Sequence, residues 1–161
     1  MLGIIERRHG NSLTLERVFE APRALVYRFF TEPRFVQRWW GVKDSTVAFC
    51  ALDVRPGGEW RIDMEVPSGA IYRNYGVFLE VSPDERLTYT DVPDPEAPHW
   101  QGKVPESGVH LITFADAPHG TTVTLEIRRA TAEEMARFAD LGVRNGWSEC
   151  FDRLEQALAE H

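Results

Sequence analysis

The chain has 161 residues, 43% of them hydrophobic, and a formal net charge of -7. This length and composition suffice for one hydrophobic core, so we expect a single domain over residues 1–161. Basic residues are scattered among acidic ones and form no stripe, which argues against nucleic acid or an anionic membrane surface as a partner.

The first ten residues carry too few apolar and too many charged side chains for a signal peptide. No later run is long enough to span a membrane. The two cysteines, Cys50 and Cys150, fit neither a CxxC motif nor a disulfide framework. We therefore expect reduced thiols and a cytoplasmic protein.

One strand and two short helices are predicted next. Residues 12–19 alternate apolar and polar side chains, which is typical of a strand with one buried face. Residues 23–30 carry apolar side chains at helical spacing, and Pro33 ends this helix and begins a second. The second helix carries Phe35, Val36, Trp39 and Trp40 and is closed by Gly41.

Three hairpins are predicted after the helices, giving a sheet of about six to seven strands. Residues 46–54 and 59–66 are joined by a tight turn, with Trp60, Ile62 and Met64 predicted to face inward and Asp63 to face solvent. A second hairpin joins residues 71–81 and 87–92, where the alternation does not identify the inner face. Residues 109–114 and 121–128 form the third.

A proline-rich loop is predicted at residues 93–107, because its four prolines exclude a regular strand or helix. The loop carries His99 and Trp100. A loop of this length in a compact domain is often functional, and we expect it to act as a lid over a cavity.

The C-terminal part, residues 131–159, is predicted to be helical. Thr131 and Glu134 have the spacing of a capping box. Gly142 interrupts the pattern, which leaves open one kinked helix or two pieces. An apolar stripe suited to face the sheet consists of Trp147, Cys150, Phe151, Leu154 and Leu158. Only this segment is long enough to cover the sheet. We therefore predict an α+β fold with a gap between the C-terminal helical segment and the sheet.

Several sequence pieces together resemble a known family. They are Phe19-Glu20-Ala21-Pro22-Arg23-Ala24-Leu25-Val26-Tyr27, Trp39-Trp40-Gly41, Asp53-Val54-Arg55-Pro56-Gly57-Gly58-Glu59-Trp60, the strand pair at 76–81 and 86–91, and Gly146-Trp147 with Asp152-Arg153-Leu154. In this order they resemble the SRPBCC or START-like superfamily, and within it the bacterial AHSA1-like group, similar to the activator of Hsp90 ATPase.

This resemblance implies a helix-grip fold of the START/Bet v 1 type and a hydrophobic cavity between the sheet and the last helix. Members of the superfamily bind lipids or aromatic products, act as cyclases or aromatases, or contact a chaperone, so the fold does not imply one activity. Many bacterial relatives have His-Glu-Gly-Trp where this chain has Arg144-Asn145-Gly146-Trp147. A role of that histidine and glutamate is therefore not carried over.

The sequence offers no motif for metal binding or nucleophilic catalysis. The five histidines, His9, His99, His110, His119 and His161, have no metal-ligand spacing. No glycine-rich phosphate loop and no GxSxG motif are present, and Cys150 is expected to be packed in the core. We expect neither a metal nor a cofactor.

Acid-base chemistry stays open, because desolvation in an aromatic cavity could shift the pKa of Asp91 or His110 towards neutrality. Aromatic residues are the stronger signal for a binding site, with core packing as the alternative for Trp60 and Trp147. The tyrosines Tyr75 and Tyr89 are expected to orient a ligand by hydrogen bonding. The predicted ligand contacts are Trp39, Trp40, Trp60, Met64, Tyr75, Tyr89, Asp91, Trp100, His110, Trp147 and Phe151.

Three hypotheses of function follow. The first is noncatalytic binding of a small hydrophobic or aromatic molecule in the cavity. The second is a cyclase or aromatase that uses an enclosed acid or base, and the third is a chaperone-interaction module that works through its surface. A homodimer is compatible with each of them.

Overall fold

A computed structural model describes residues 3–91 and 108–161 and has the predicted α+β architecture. In chain order the elements are β1 (Ile5–His9), β2 (Ser12–Phe19), α1 (Arg23–Thr31), α2 (Pro33–Val36), β3 (Thr46–Leu52), β4 (Glu59–Glu65), β5 (Ile71–Ser82), β6 (Arg86–Thr90), β7 (Val109–Ala117), β8 (Gly120–Arg128), α3 (Ala132–Asp140) and α4 (Val143–Ala159). The predicted lid and Trp100 lie outside the described residues. Among the described residues, no helix combines the length and the apolar composition that a membrane span requires.

The strands form one curved antiparallel sheet of eight, in the order β1-β2-β8-β7-β6-β5-β4-β3. The expected number of about six to seven strands was therefore too low. Strand β1 was missed because all five of its residues are exposed at the sheet edge. With neither face buried, β1 lacks the apolar alternation by which a strand is identified.

The core lies on the inner face of β2 and β8. Every second residue is buried in both strands, as expected for a sheet with one covered face. Phe151 and Leu154 of α4 are fully buried and pack on this side of the molecule. The rings of Phe19 and Phe151 meet edge to face, with centroids 5.5 Å apart. The apolar stripe of the C-terminal segment is thus buried as its helical spacing predicts.

The two short helices follow β2 as predicted, but α2 contains only four residues. Trp39 and Trp40 lie beyond its end. The indole of Trp39 is almost completely buried and donates a hydrogen bond to the Phe29 carbonyl oxygen of α1, at 2.8 Å. A buried indole N–H requires such a partner, so this bond fixes the chain segment that leads to the inner surface of the sheet.

Two helices, rather than one, complete the chain. Thr131 caps α3 as predicted, because its hydroxyl accepts a hydrogen bond from the Glu134 amide at 3.1 Å. The helix stops before Gly142, whose φ of +87° lies in the left-handed region that glycine adopts without steric cost. Helix α4 then begins at Val143, so the C-terminal segment consists of two pieces, the second of the two possibilities that the sequence left open.

Asp63 on β4 corrects one prediction, since its side chain is buried rather than solvated. The carboxylate accepts hydrogen bonds from Arg61 Nε at 3.0 Å and Nη2 at 2.7 Å. The Arg61 guanidinium also lies over the ring of Phe49, 4.8 Å from its centroid. Alternation places Asp63 on the outer face correctly, but it does not reveal that long neighbouring side chains cover it.

Candidate functional site

A cavity of about 320 Å³ lies between the sheet and the C-terminal helices. Its lining includes Met64 and Trp60 from β4, Tyr89 from β6, Phe138 from α3 and Trp147 from α4. These residues are far apart in the sequence and meet because the helices cross the open face of the curved sheet. The volume is at the lower end of the roughly 300–1,000 Å³ usual for ligand pockets.

Eight of the eleven predicted contact residues line this cavity: Trp40, Trp60, Met64, Tyr75, Tyr89, Asp91, His110 and Trp147. Trp39 and Phe151 do not line it, because they are buried in the core beneath it. Trp100 is outside the described residues. The ambiguous strand, β5, contributes both Asn74 and Tyr75 to the lining, so neither face alone describes it.

Aromatic rings form a continuous wall of the cavity. Trp60 meets Tyr89 edge to face, with centroids 5.4 Å apart. Tyr89 stacks on His110 at 5.0 Å with only 10° between the planes, and His110 lies 6.1 Å from Trp147. Because each ring contacts the next, the wall is held in one arrangement. A void of about 40 Å³ behind it is too small for an organic ligand.

The side chain of Trp60 extends across the neighbouring strand. Its indole nitrogen donates to the Thr90 carbonyl oxygen of β6 at 3.0 Å, and β5 lies between them. The bond passes over Gly76, which faces Trp60 in the register. A Cβ atom at Gly76 would lie 2.0 Å from the Thr90 oxygen and 2.7 Å from the indole nitrogen. Glycine is therefore required at this crossing.

The Thr90 carbonyl can accept the hydrogen bond from Trp60 because the backbone hydrogen bonding between β5 and β6 is irregular at this point. The amide of Val77 donates to the Thr90 hydroxyl at 2.8 Å instead of to a backbone carbonyl. This side-chain bond replaces one regular ladder bond and leaves the Thr90 oxygen to the indole.

A polar cluster of Asp91, His110 and Arg129 closes one end of the cavity. Arg129 donates from Nη1 to Asp91 Oδ1 at 3.4 Å and from Nη2 to Oδ2 at 3.0 Å. His110 Nδ1 lies 3.3 Å from Asp91 Oδ2, although the angle does not meet that of a hydrogen bond. The cluster therefore consists of a carboxylate between a guanidinium and an imidazole.

Sequence reasoning missed Arg129, which follows the last strand and lies outside its alternation. The ends of β6, β7 and β8 are tied together, since the Asp91 amide donates to Gly108 at 2.7 Å and the Gly108 amide donates to Arg128 at 3.1 Å. The Arg129 guanidinium then packs over the Phe138 ring of α3, 3.8 Å from its centroid. Only this strand pairing brings Arg129 to Asp91.

His110 is buried, and burial is the main cause that lowers its pKa below the usual 6.5. The Asp91 carboxylate acts in the opposite direction, while the nearby Arg129 charge lowers the pKa of His110 further. The imidazole is therefore neutral at pH 7. Burial also raises the pKa of the Tyr89 phenol, so its hydroxyl stays protonated.

The lowered pKa of His110 predicts a loss of stability in mild acid. Below about pH 6.5 the unfolded chain binds a proton that folded His110 does not, so the free energy of unfolding falls with pH. The loss is at most about 1.4 kcal/mol per pH unit, down to the folded-state pKa. Urea unfolding of the native protein and of His110→Asn between pH 7.5 and 5 measures it.

The charged groups that act on His110 are Asp91 and Arg129, and the rings beside it are Tyr89 and, from α4, Trp147. Carboxylates elsewhere also bind protons in acid, and the His110→Asn variant subtracts their contribution. We expect the native protein to lose more stability than the variant over this range. Equal losses would show that His110 is protonated to the same extent in both states.

The described residues offer no nucleophile or metal site beside the cavity. Burial raises the pKa of the Cys150 thiol to about 11, and the thiol donates to the Gly41 carbonyl at 3.1 Å. It is therefore a protonated packing group at neutral pH. Among residues 3–91 and 108–161, no three His, Cys, Asp or Glu side chains gather as potential metal ligands.

Comparison with known proteins connects this geometry to a family. The family described as "Activator of Hsp90 ATPase homolog 1-like protein" matches residues 20–159. A solved structure from Nitrosomonas europaea is 29% identical, with a TM-score of 0.79, covering 92% of this chain and 94% of that one. No curated protein matches the chain.

Two further structures show the same fold at lower identity. A protein from Rhodobacter sphaeroides is 18% identical, with a TM-score of 0.84 and 98% of both chains covered. An AHSA1-like protein from Aeromonas hydrophila is 19% identical, with a TM-score of 0.70 and 92% of both chains covered.

Proposed function

Because the chain belongs to the activator of Hsp90 ATPase homolog 1-like family, we propose that it binds a small aromatic molecule in the cavity beneath its C-terminal helices. The family resemblance drawn from the sequence is confirmed, and the ligand class is our proposal. The observation that carries it is the cavity of about 320 Å³ with a wall of aromatic rings and one polar end. Such a lining is typical of small-molecule sites.

Burial of apolar area supplies the affinity in this proposal. A two-ring aromatic ligand that buries about 200 Å² gains about 5 kcal/mol at about 25 cal/mol per Å². The rings of Trp60, Tyr89 and Trp147 are already packed against one another or against His110, so little ordering is required on binding. Preorganisation of this kind favours a binding protein.

The protonation states of His110 and Cys150 support binding without turnover. His110 is a weak base because its pKa is lowered, and Cys150 is a protonated thiol. A cyclase-like activity is a second candidate, favoured by the Asp91 carboxylate 3.3 Å from Nδ1 of His110, which places a carboxylate beside a potential general base. Loss of turnover in His110→Phe with the fold intact would distinguish it from binding.

A chaperone-interaction module is the third candidate, and it derives from the family alone. Such a module would act through its surface, so filling the cavity would not change the binding of its partner. A variant with a filled cavity therefore separates this candidate from the first two.

Gly146 offers a position from which to fill the cavity. It lines the cavity from α4. Among the described residues, apart from its chain neighbours and its own helix backbone, the only atom within 4 Å of an added Cβ is a methyl group of Val42 at 3.9 Å. We expect Gly146→Phe to place its ring in the cavity and to weaken the binding of the apolar probe 2-methoxynaphthalene by more than about tenfold. Isothermal titration measures the affinity, and thermal shift reports the coupled gain in stability.

Gly146→Ala is the matched control, since it adds one methyl group at the same place. Alanine is a better helix former, so this variant should be more stable by about 0.5–1 kcal/mol and should still bind the probe. Unchanged affinity in a folded Gly146→Phe protein would contradict a ligand site in this cavity.

A further inference from the structure

The orientation of His110 determines which hydrogen-bonding group faces the cavity. Its Nδ1 is buried and lies 3.3 Å from Asp91 Oδ2. Asp91 is paired with Arg129 and offers only acceptor atoms when ionised. An imidazole nitrogen next to a carboxylate is favoured as N–H, because the other tautomer would oppose two lone pairs. This places the proton of the neutral ring on Nδ1.

The second ring nitrogen, Nε2, is then a hydrogen-bond acceptor. Stacking on Tyr89, at 5.0 Å and 10°, fixes the plane of the ring, and the Asp91 carboxylate lies 3.3 Å from its Nδ1. Within residues 3–91 and 108–161 no hydrogen bond is formed by Nε2. Because His110 lines the cavity, this nitrogen is the acceptor that the residue can offer to a ligand.

The charges around His110 disfavour an anionic group at Nε2. The positive charge of Arg129 is already matched by Asp91, with two contacts of 3.0 and 3.4 Å. A ligand carboxylate or phenolate at Nε2 would face a lone pair and lie near the Asp91 carboxylate. Both interactions are repulsive, whereas a neutral hydroxyl group donates a hydrogen bond to Nε2.

We propose that the cavity selects aromatic molecules that carry a neutral hydroxyl group, and that this hydroxyl donates to Nε2 of His110. The inference rests on the proposed function and adds the ligand's polar group and its partner atom. Asp91 acts as a positioning residue, because it holds the tautomer without contacting the ligand. Arg129 in turn holds Asp91.

Three probes with one ring system test this selectivity: 2-naphthol, 2-methoxynaphthalene and 2-naphthoate. All three have the same two rings, but only 2-naphthol is a neutral hydroxyl donor at pH 7. We expect 2-naphthol to bind the native protein about threefold to tenfold more tightly than the methyl ether, the range for one net hydrogen bond. The carboxylate should bind more weakly than both.

Two variants assign the selectivity to His110. In His110→Phe the aromatic wall is kept and the acceptor is lost, so the two neutral probes should bind equally. In Asp91→Asn the amide oxygen takes the Arg129 bonds and the NH₂ group faces Nδ1, which favours the opposite tautomer. The preference for 2-naphthol should fall there as well.

Nitrogen-15 NMR of the histidine ring reads the tautomer in the native protein without any substitution. A proton on Nδ1 supports the inference, and a proton on Nε2 overturns it. Equal binding of 2-naphthol and its methyl ether to the native protein also overturns it, while leaving the proposed function standing. Binding of neither neutral probe contradicts the proposed function itself.

Discussion

Gly76→Ala is expected to destabilise the protein by about 2–6 kcal/mol and to weaken ligand binding. The added methyl group would lie 2.0 Å from the Thr90 carbonyl oxygen and 2.7 Å from the Trp60 indole nitrogen. Backbone cannot move away cheaply, so either β5 shifts or the indole loses its acceptor. Overpacking costs about 1–3 kcal/mol and a buried unpaired donor costs about 1–3 kcal/mol.

Such a loss is a large part of the roughly 5–15 kcal/mol by which a domain of this size is stable. Urea unfolding gives the stability, and titration with 2-methoxynaphthalene gives the affinity. The same one-methyl change in Gly146→Ala, where there is room, should have the opposite effect on stability. If Gly76→Ala unfolds at the same urea concentration as the native protein, the crossing of Trp60 over β5 does not need glycine.

Arg17→Ala is the second change with a large expected effect. Arg17 occupies an inward position of β2, between the buried residues Leu15 and Phe19. Its guanidinium contacts Asp152 Oδ1 at 2.6 Å and Glu155 Oε2 at 2.7 Å, both on α4. The side chain is 1% exposed, while the two carboxylates are 62% and 36% exposed. Arg17 therefore joins the sheet to the helix from within the core.

Removal of this side chain leaves a void under α4 and two carboxylates without their cation. We expect the free energy of unfolding to fall by about 2–4 kcal/mol. Leaving a fully buried charge without its partner would cost more, but these two carboxylates are exposed to solvent. Arg17→Met keeps most of the volume and strands no buried charge. It should cost less than about 1.5 kcal/mol.

Urea unfolding of both variants measures the two effects under the same conditions. A loss in Arg17→Met as large as in Arg17→Ala would show that the ion pairs, rather than the filled volume, hold α4 on the sheet. Negligible losses in both variants would remove Arg17 as an anchor of this helix.

Local sequence patterns predicted much of the fold, because strand alternation and helix capping depend on residues close together in the sequence. The alternation in β2 and β8 predicts their buried face, since side chains of a strand point to opposite sides. The pairing of Thr131 with Glu134 predicts the start of α3, because a cap is a bond between residues three apart. The exposed edge strand β1 carries no such pattern and was missed.

The candidate site was only partly accessible to the same reasoning. Aromatic residues on inward positions, such as Trp60 and Trp147, were predicted as contacts and do line the cavity. Trp39 has equal aromatic character but lies in the core, because its indole bonds to Phe29 of α1. Residue type cannot distinguish a tryptophan in the core from one in the cavity wall, since both positions provide a partner for the buried indole N–H.

The sequence by itself determined most of the elements, the buried faces of most strands, the family and the aromatic character of the inner surface. The tertiary structure alone decided that Asp91, His110 and Arg129 form one cluster and that Gly76 lies under the Trp60 bond. These are contacts between strand ends and across a strand, set by register and sheet curvature. Sequence periodicity describes one element at a time, so it contains no information about which side chains meet between elements.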